Sequence, residues 1–308
     1  MKFPKLLFFL PLLSLVITSC SSDDSTSDPV VVEPPVIDLS NQKLVSFSYP
    51  YDKYIGIRRD DESYEYDNAN KIVKVKEGGY VYGITYVNPD LIEVNQLEDN
   101  VTGLKINAKT SIHLKAGSVE SIVKNEIIVY DDKDEIFSST SDSTVYMYKN
   151  EYLSNVKSYN KNKYYPSYRL VNQVDFEEHN GNITKAVTKS VLSEISYAIN
   201  YTYDADADAY VKGSDYTYET PLFYSYYTLY SILHDKFGKK SSNNIIKIDH
   251  EYTNLAPYPR SFKTMTLKRT LDTEKRLKEI IVSGTTFDDL KNYVGLDFKD
   301  AKATFTYK

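Results

Sequence analysis

The sequence predicts a mostly β protein: an antiparallel, curved meander of hairpins carrying one or two short helices. Three observations carry that prediction. Aromatic usage is lopsided, with 30 tyrosines, 12 phenylalanines and no tryptophan, and tyrosine suits strands because its ring packs while its hydroxyl stays wet. A hairpin theme recurs along the chain. Apolar residues at helical spacing are confined to one segment and a shorter second one.

In each hairpin an aromatic or apolar residue ends a strand, an acidic or amide-rich turn follows, and a basic or amide residue leads a strand alternating in Ile, Leu or Val. The clearest copy is Tyr64-Glu65-Tyr66-Asp67-Asn68-Ala69-Asn70-Lys71-Ile72-Val73-Lys74-Val75. Others run from Tyr146 to Val156 around Lys149-Asn150-Glu151, from Phe176 to Val187 around His179-Asn180-Gly181-Asn182, and from Leu271 to Ile280 around Asp272-Thr273-Glu274. The step from the first apolar residue to the next strand's lead aliphatic varies from five to seven residues, as in Tyr148 to Leu153 and Phe176 to Ile183. Variable turns on a fixed architecture are the reading.

The helical segment is Pro221 to Phe237, where Leu222, Tyr226, Leu229, Leu233 and Phe237 recur every three or four residues. Thr220 caps it, Pro221 suits its first position and Gly238 its stop. A second helix is predicted from Phe287 to Val294, capped by Thr286, with Asp288 and Asp289 in its first turn and Gly295 behind it.

The N-terminus reads as an export segment. Lys2 and Lys5 precede a twelve-residue apolar run, Leu6 to Ile17, too short for the roughly 18 to 20 residues of a spanning helix. Residues 1–19 are therefore a signal peptide. Ile17-Thr18-Ser19-Cys20 resembles the lipobox of bacterial lipoproteins, which implies cleavage before Cys20, a diacylglycerol on its thiol and a fatty acid such as palmitate on the new N-terminus. Cys20 is the only cysteine, so no disulfide competes for it, and several acyl chains on one residue anchor stably. Ser21-Ser22-Asp23-Asp24 resembles the surface-export signal of Bacteroidetes lipoproteins, implying an outer-membrane, lipid-anchored protein facing outward. Residues 20–41, broken by Pro29, Pro34 and Pro35, form a flexible tether. Residues 42–308 form the antiparallel β domain, as one unit or as two subdomains divided near residue 150.

Tyr66-Asp67, Tyr130-Asp131 and Tyr203-Asp204 resemble the Tyr-Asp pairs of YD (RHS-type) repeats. The C-terminal half, through Gly181-Asn182-Ile183-Thr184-Lys185, Tyr201-Thr202-Tyr203-Asp204, Pro221-Leu222-Phe223, Ser242-Asn243-Asn244-Ile245-Ile246-Lys247 and the last strand Ala303 to Tyr307, is similar to a YD-like domain of unknown function in Bacteroidetes lipoproteins. The resemblance covers residues 176–308, and residues 42–150 only by the hairpin theme. It implies a curving antiparallel meander and brings no catalytic residues.

Composition thins out the function classes. Removal of residues 1–19 takes two lysines and no acid, leaving 35 basic against 43 acidic side chains, a charge of −8. No compact basic cluster of the nucleic-acid type is present, and nucleic acid is not an expected partner. His113, His179, His234 and His250 form no metal pair, and the chain has no nucleophile elbow, phosphate-cradling loop or dinucleotide fingerprint. No cofactor, resident metal or catalytic residue is expected, although two carboxylates about 5 to 9.5 Å apart would suffice for a glycosidase. Asp204, Asp206, Asp208 and Asp215 mimic a calcium loop, but Ala209 takes the place of the turn glycine and Asp215 that of the closing glutamate. They read as a solvated acidic turn. Asn100-Val101-Thr102 and Asn182-Ile183-Thr184 match the glycosylation acceptor; behind a bacterial lipobox they are strand or turn residues.

What remains is aromatic. Tyr164, Tyr165 and Tyr168, beside Lys161, Asn162 and Lys163 in a Pro-containing loop, are the candidate ligand platform. Tyr226 and Tyr230 fall on the apolar helix face and are core. The function expected is that of a binding or interaction lipoprotein for a glycan or a partner protein. The rivals are a structural envelope lipoprotein and a carboxylate-based hydrolase.

Overall fold

The computed structural model describes residues 43–48, 62–77, 79–98, 104–130, 136–191, 196–204, 233, 235–252, 262–286 and 297–308. Residues Gln42–Lys308 form one compact unit. Its first strands are β1 (Leu44–Ser48), β2 (Glu62–Tyr66), β3 (Ile72–Glu77), β4 (Tyr80–Asn88) and β5 (Leu91–Glu98). Five long strands follow: β6 (Leu104–Lys115), β7 (Ser118–Tyr130), β8 (Ile136–Lys149), β9 (Tyr152–Asn162) and β10 (Tyr165–His179). The ring ends with β11 (Asn182–Ser190), β12 (Ser196–Tyr203), β13 (Ile245–Tyr252), β14 (Phe262–Leu271), β15 (Leu277–Thr286) and β16 (Asp297–Tyr307). Each strand pairs antiparallel with its sequence neighbours, and β1 pairs with β16 to close a barrel.

The predicted antiparallel hairpins are all present. The four picked from sequence are β2–β3, β8–β9, β10–β11 and β14–β15. Their turns use the chemistry expected of Asp and Asn. Asp67 Oδ1 accepts the N–H groups of Ala69 and Lys71, both at 2.8 Å, and Asp272 Oδ1 accepts those of Glu274 and Arg276, both at 2.9 Å. The open, curved meander is corrected to a closed barrel. An open sheet of this length would leave two edges of unpaired backbone groups, and the pairing of Leu44 with Tyr307 and of Phe47 with Phe305 removes both.

Alternation along the strands sorts the side chains. Inward positions hold Val75, Ile92, Ile112, Ile122, Ile199, Ile248, Met265, Ile280 and Ala303, all essentially inaccessible, and they belong to one buried cluster. The intervening positions face out and carry charge: Lys74 with Glu65 (3.2 Å), Lys109 with Glu93 (2.7 Å), Lys247 with Asp249 (2.9 Å) and Lys302 with Glu279 (3.0 Å).

One end of the barrel, here called proximal, gathers the turns at 67–71, 89–90, 116–117, 150–151, 180–181 and 272–276. The connection between β12 and β13 returns across this end. Val119 N–H donates to the Lys236 carbonyl (2.8 Å), Lys239 N–H to Glu151 (2.8 Å) and Ser242 N–H to Gly181 (2.9 Å), so residues 236–242 are laced over three successive hairpins. Leu233 and Phe237 are buried in the core from this segment, the Phe237 ring 5.2 Å from that of Tyr146. Of the predicted helix Pro221 to Phe237, Leu233 is helical but residues 235–237 are not, so the predicted end at Phe237 is corrected to before Asp235; most of that segment, the predicted helix Phe287 to Val294, and Asp206, Asp208, Ala209 and Asp215 lie outside the described residues, as do Cys20 and the predicted tether. Asp204 is described, and its carboxylate accepts the Asn244 N–H at 3.1 Å.

Tyrosines stitch the proximal ends together. Tyr66 donates its hydroxyl to the Leu44 carbonyl (2.6 Å), Tyr148 to Val119 (2.7 Å) and Tyr203 to Ile183 (2.6 Å), each reaching the strand before its own. Burial pushes the Tyr66 phenol up to about 12, helped by the neighbouring Tyr86, and raises that of Tyr148 further.

Gly238 is the tightest point of the lacing. Its φ is +71°, and a Cβ there would run into the Glu151 carbonyl oxygen and lie 2.8 Å from the Tyr148 ring. Gly238→Ala is expected to cost about 2 kcal/mol or more by urea unfolding, since left-handed backbone strain and a backbone clash add. Gly117→Ala, at φ +81° with nothing within 4 Å, isolates the backbone contribution, about 1 kcal/mol.

Candidate functional site

Toward the distal end, the inner wall of the long strands changes character. Residues directly opposite on neighbouring strands share a face. Ile112, Ile122, Thr144, Ser158 and Asn172 form one such row across β6 to β10, and its first two members are buried in the core. Two residues farther along β6 to β9, and three along the bulged β10, comes a second row: Thr110, Lys124, Asp142, Asn160 and Arg169. A third holds Ala108, Glu126, Thr140, Asn162 and Tyr165. The same alternation that buries isoleucine at one end thus points charges and amides inward at the other.

These groups hold one another. Lys124 Nζ lies 2.7 Å from a Glu126 carboxylate oxygen. Asn160 Nδ2 donates to Asp142 Oδ1 (2.7 Å), and Asn162 Nδ2 to Asn160 Oδ1 (3.3 Å). The Lys124 and Glu126 side chains keep about a fifth to a quarter of their surface, 22% and 24%, so solvent reaches this wall. Three buried wall atoms, Arg169 Nε, Asn172 Oδ1 and Thr188 Oγ1, make no hydrogen bond, and buried polar atoms left so are rare. The arrangement is a shelf of hydrogen-bonding groups above an apolar floor.

The predicted tyrosines stand at its rim. Asn162 Oδ1 accepts the N–H groups of Tyr164 (2.9 Å) and Tyr165 (3.0 Å), which folds the chain back at the β9–β10 turn. All three rings are exposed, 73% for Tyr164, 47% for Tyr165 and 45% for Tyr168. They do not share one face. Tyr165 belongs to the inward row through Asn162, whereas Tyr168 meets Ser141, its hydroxyl 2.6 Å from Ser141 Oγ, on the outward side with Lys161. Tyr164 sits on the turn itself.

The histidines are not brought together. His113 is exposed, His179 ends β10, and His250 is buried on the inner wall beside the Tyr197 ring, 6.3 Å between centroids; His234 lies outside the described residues. Among the described residues no group of three His, Cys, Asp or Glu side chains could hold a metal ion.

The barrel has counterparts among solved structures. It is similar to a porin-like protein from Bacteroides vulgatus, with TM-score 0.54 and 15% identity over 86% of this chain and 98% of that one. It is similar also to a porin-like protein from Bacteroides uniformis, with TM-score 0.52 and 12% identity over 87% and 97%. No protein-family model matches the chain, and no curated protein does. The likeness is one of fold.

The faces decide how far it reaches. A spanning barrel carries an apolar outer band about 25 Å tall, and a lysine or arginine at its midplane costs about 2 to 4 kcal/mol. Here the described outer face carries Lys–Glu and Lys–Asp pairs on β2–β3, β5–β6, β10–β11, β13 and β15–β16, whereas β7 and β8 turn Val123, Ile127, Val145 and Met147 outward among serines. Where the paired charges stand, the outer wall suits water. The Cys20→Ala variant, which cannot carry acyl chains on that thiol, is expected in the aqueous phase of a detergent phase separation and to give no conductance in a planar bilayer. A lipid-embedded barrel would stay in the detergent phase without its acyl chains.

Proposed function

We propose that this protein is a lipid-anchored outer-membrane lipoprotein, displayed on the cell surface, that binds a glycan at the distal end of its barrel and performs no catalysis. The observation that carries this reading is the inward shelf of Asp142, Asn160 and Asn162 beside Lys124 and Glu126, with Tyr165 at its rim. Sugar hydroxyls need donors and acceptors fixed in direction, which an amide relay ending on a carboxylate supplies, and an aromatic face covers their apolar side. A glycosidase needs one carboxyl to carry a proton to the leaving group. Asp142 and Glu126 each accept from a donor instead, which supports holding over cutting.

Anchoring by Cys20 is part of the same reading. The described chain begins and ends at the proximal end, where Lys308 N–H donates to the Lys43 carbonyl (3.0 Å). Cys20→Ala is expected to abolish labelling by a fatty-acid probe and to release the protein from the membrane fraction; retention without label in the wild type would refute the anchor.

Binding is tested with a panel of neutral and acidic polysaccharides in native affinity gels. At least one polymer should retard the protein without being shortened. Asn160→Ala and Tyr165→Ala should each weaken the retardation roughly three- to tenfold, with melting temperatures within a few degrees of wild type. Shortening of the polymer would favour a hydrolase, and no retardation by any polymer a structural lipoprotein.

A further inference from the structure

In a chain with six more acids than bases, one hairpin has none. From Tyr152 to Val174, most of β9 and β10, there is no Asp or Glu, while Lys157, Lys161, Lys163 and Arg169 all fall there. Three of these cations sit over the three rim tyrosines: Arg169 over Tyr165 at 3.6 Å from guanidinium carbon to ring centroid, Lys161 over Tyr168 at 5.0 Å and Lys163 over Tyr164 at 5.0 Å. Among the described residues no carboxylate pairs with any of the three. Elsewhere on the barrel several lysines find acids across the strands, as Lys109 does at Glu93 and Lys302 at Glu279, and single lysines cover single rings, as Lys43 covers Tyr66 and Lys71 covers Tyr86. At this tip three cations cover three rings, and among the described residues those rings are their partners.

We propose that the β9–β10 hairpin tip makes the bound glycan an acidic one that crosses the rim, its carboxylate or sulfate groups taken by Arg169 on the inner wall, Lys163 on the turn and Lys161 on the outer side. This rests on the glycan reading above and names its charge. A cation over one face of a ring leaves the other face exposed for a sugar and leaves the cation's remaining N–H groups unspent. Arg169 is furthest prepared: its plane is fixed by Tyr165, so little conformational freedom is lost when the fork closes on a carboxylate, and its buried Nε has no hydrogen-bond partner. It stands next to Asn160 in the inward row, so an anion on the fork places the rest of the sugar over the amides. A nucleic acid would also find cations and rings here, but its phosphates lack the neutral hydroxyls that the Asn160–Asn162 relay is placed to hold, whereas an acidic sugar offers both.

The test uses the purified full chain in affinity gels with four probes: polygalacturonate for carboxylate, chondroitin sulfate for sulfate, mannan as the neutral polymer, and a single-stranded oligonucleotide. One or both acidic polymers should retard the protein in a salt-sensitive way, with mannan weaker by about tenfold or more. Lys161→Gln, Lys163→Gln and Arg169→Gln combined should abolish the acidic retardation, and Arg169→Lys should restore only part of it. The combination Lys76→Gln, Lys109→Gln and Lys302→Gln changes net charge equally and should leave binding intact. Should the first combination fail to fold, Lys163→Gln alone, on the exposed turn, should still weaken acidic binding and not mannan binding. Equal retardation by mannan, or equal loss in the two combinations, overturns the charge assignment, and stronger oligonucleotide binding replaces the glycan by nucleic acid. Mannan binding that Asn160→Ala removes leaves the glycan reading standing while this inference falls; absence of binding to every polysaccharide removes both.

Discussion

Everything in this barrel depends on a short seam. β1 is five residues long and pairs with β16 on one side and β2 on the other, the latter through only two positions, Ser46 with Ser63 and Phe47 with Glu62. Without it the sheet would have two edges and no defined inside. With it, a period of two along every strand becomes a division between interior and water. A ring of sixteen strands is wide enough to leave an aqueous channel if its walls stay apart. Here Tyr64 of β2, Ile112 of β6, Ile199 of β12 and Phe305 of β16 share a buried cluster with Leu233 and Phe237 of the returning segment. The apolar interior is filled by its own walls and by that segment.

The tyrosine content follows from the same architecture. A strand end at the proximal rim must pack against the floor and still satisfy backbone groups at the turns. Tyr66, Tyr148 and Tyr203 do both, the ring half-buried and the hydroxyl on a neighbouring strand's carbonyl. Phenylalanine would pack as well but leave the carbonyl to water. The Tyr-Asp pairs seen in the sequence therefore have separate local duties: in Tyr66-Asp67 the ring ties two strands and the carboxylate shapes the turn. Neither duty needs a repeat of fixed spacing, which is why the spacing varies.

Local chemistry was legible, and non-local chemistry was not. The hairpins around Asp67, Asn150, Gly181 and Asp272 could be read because turn residues and alternation lie within a dozen positions of each other. Closure could not, because the partners Leu44 and Tyr307 are at opposite ends of the chain and carry no mark of each other. The exposed tyrosines were found at Tyr164, Tyr165 and Tyr168, but their division between two faces depends on the irregular pairing between Tyr165 and Arg169, which the sequence does not display. The inward polar rows were missed for another reason. Along β8 and β9 the inward positions pass from Tyr146 and Val156 to Thr144 and Ser158, then to Asp142 and Asn160. The period never changes, only the polarity at one phase of it. Read in isolation, such strands look two-sided polar; only the buried half of each strand fixes which phase is inside.

That change of polarity along one phase is also what separates this molecule from a membrane-spanning barrel with a water-filled channel. A fold specifies which residues face in and which face out, but not which of the two is apolar. A membrane-spanning barrel puts its apolar phase outward and its polar phase around a channel. The described strands here put paired charges outward on β2–β3, β5–β6, β10–β11, β13 and β15–β16, and along β6 to β10 divide the inward phase in two, apolar over the proximal floor and polar over the distal shelf. The paired charges of the outer wall would be costly to bury in lipid, and Val174 and Ala186 show that the inward phase packs well when apolar. The shelf groups hold one another, Asn160 on Asp142 and Lys124 at Glu126, and the donors and acceptors this leaves over face the distal end, where the proposed glycan would meet them.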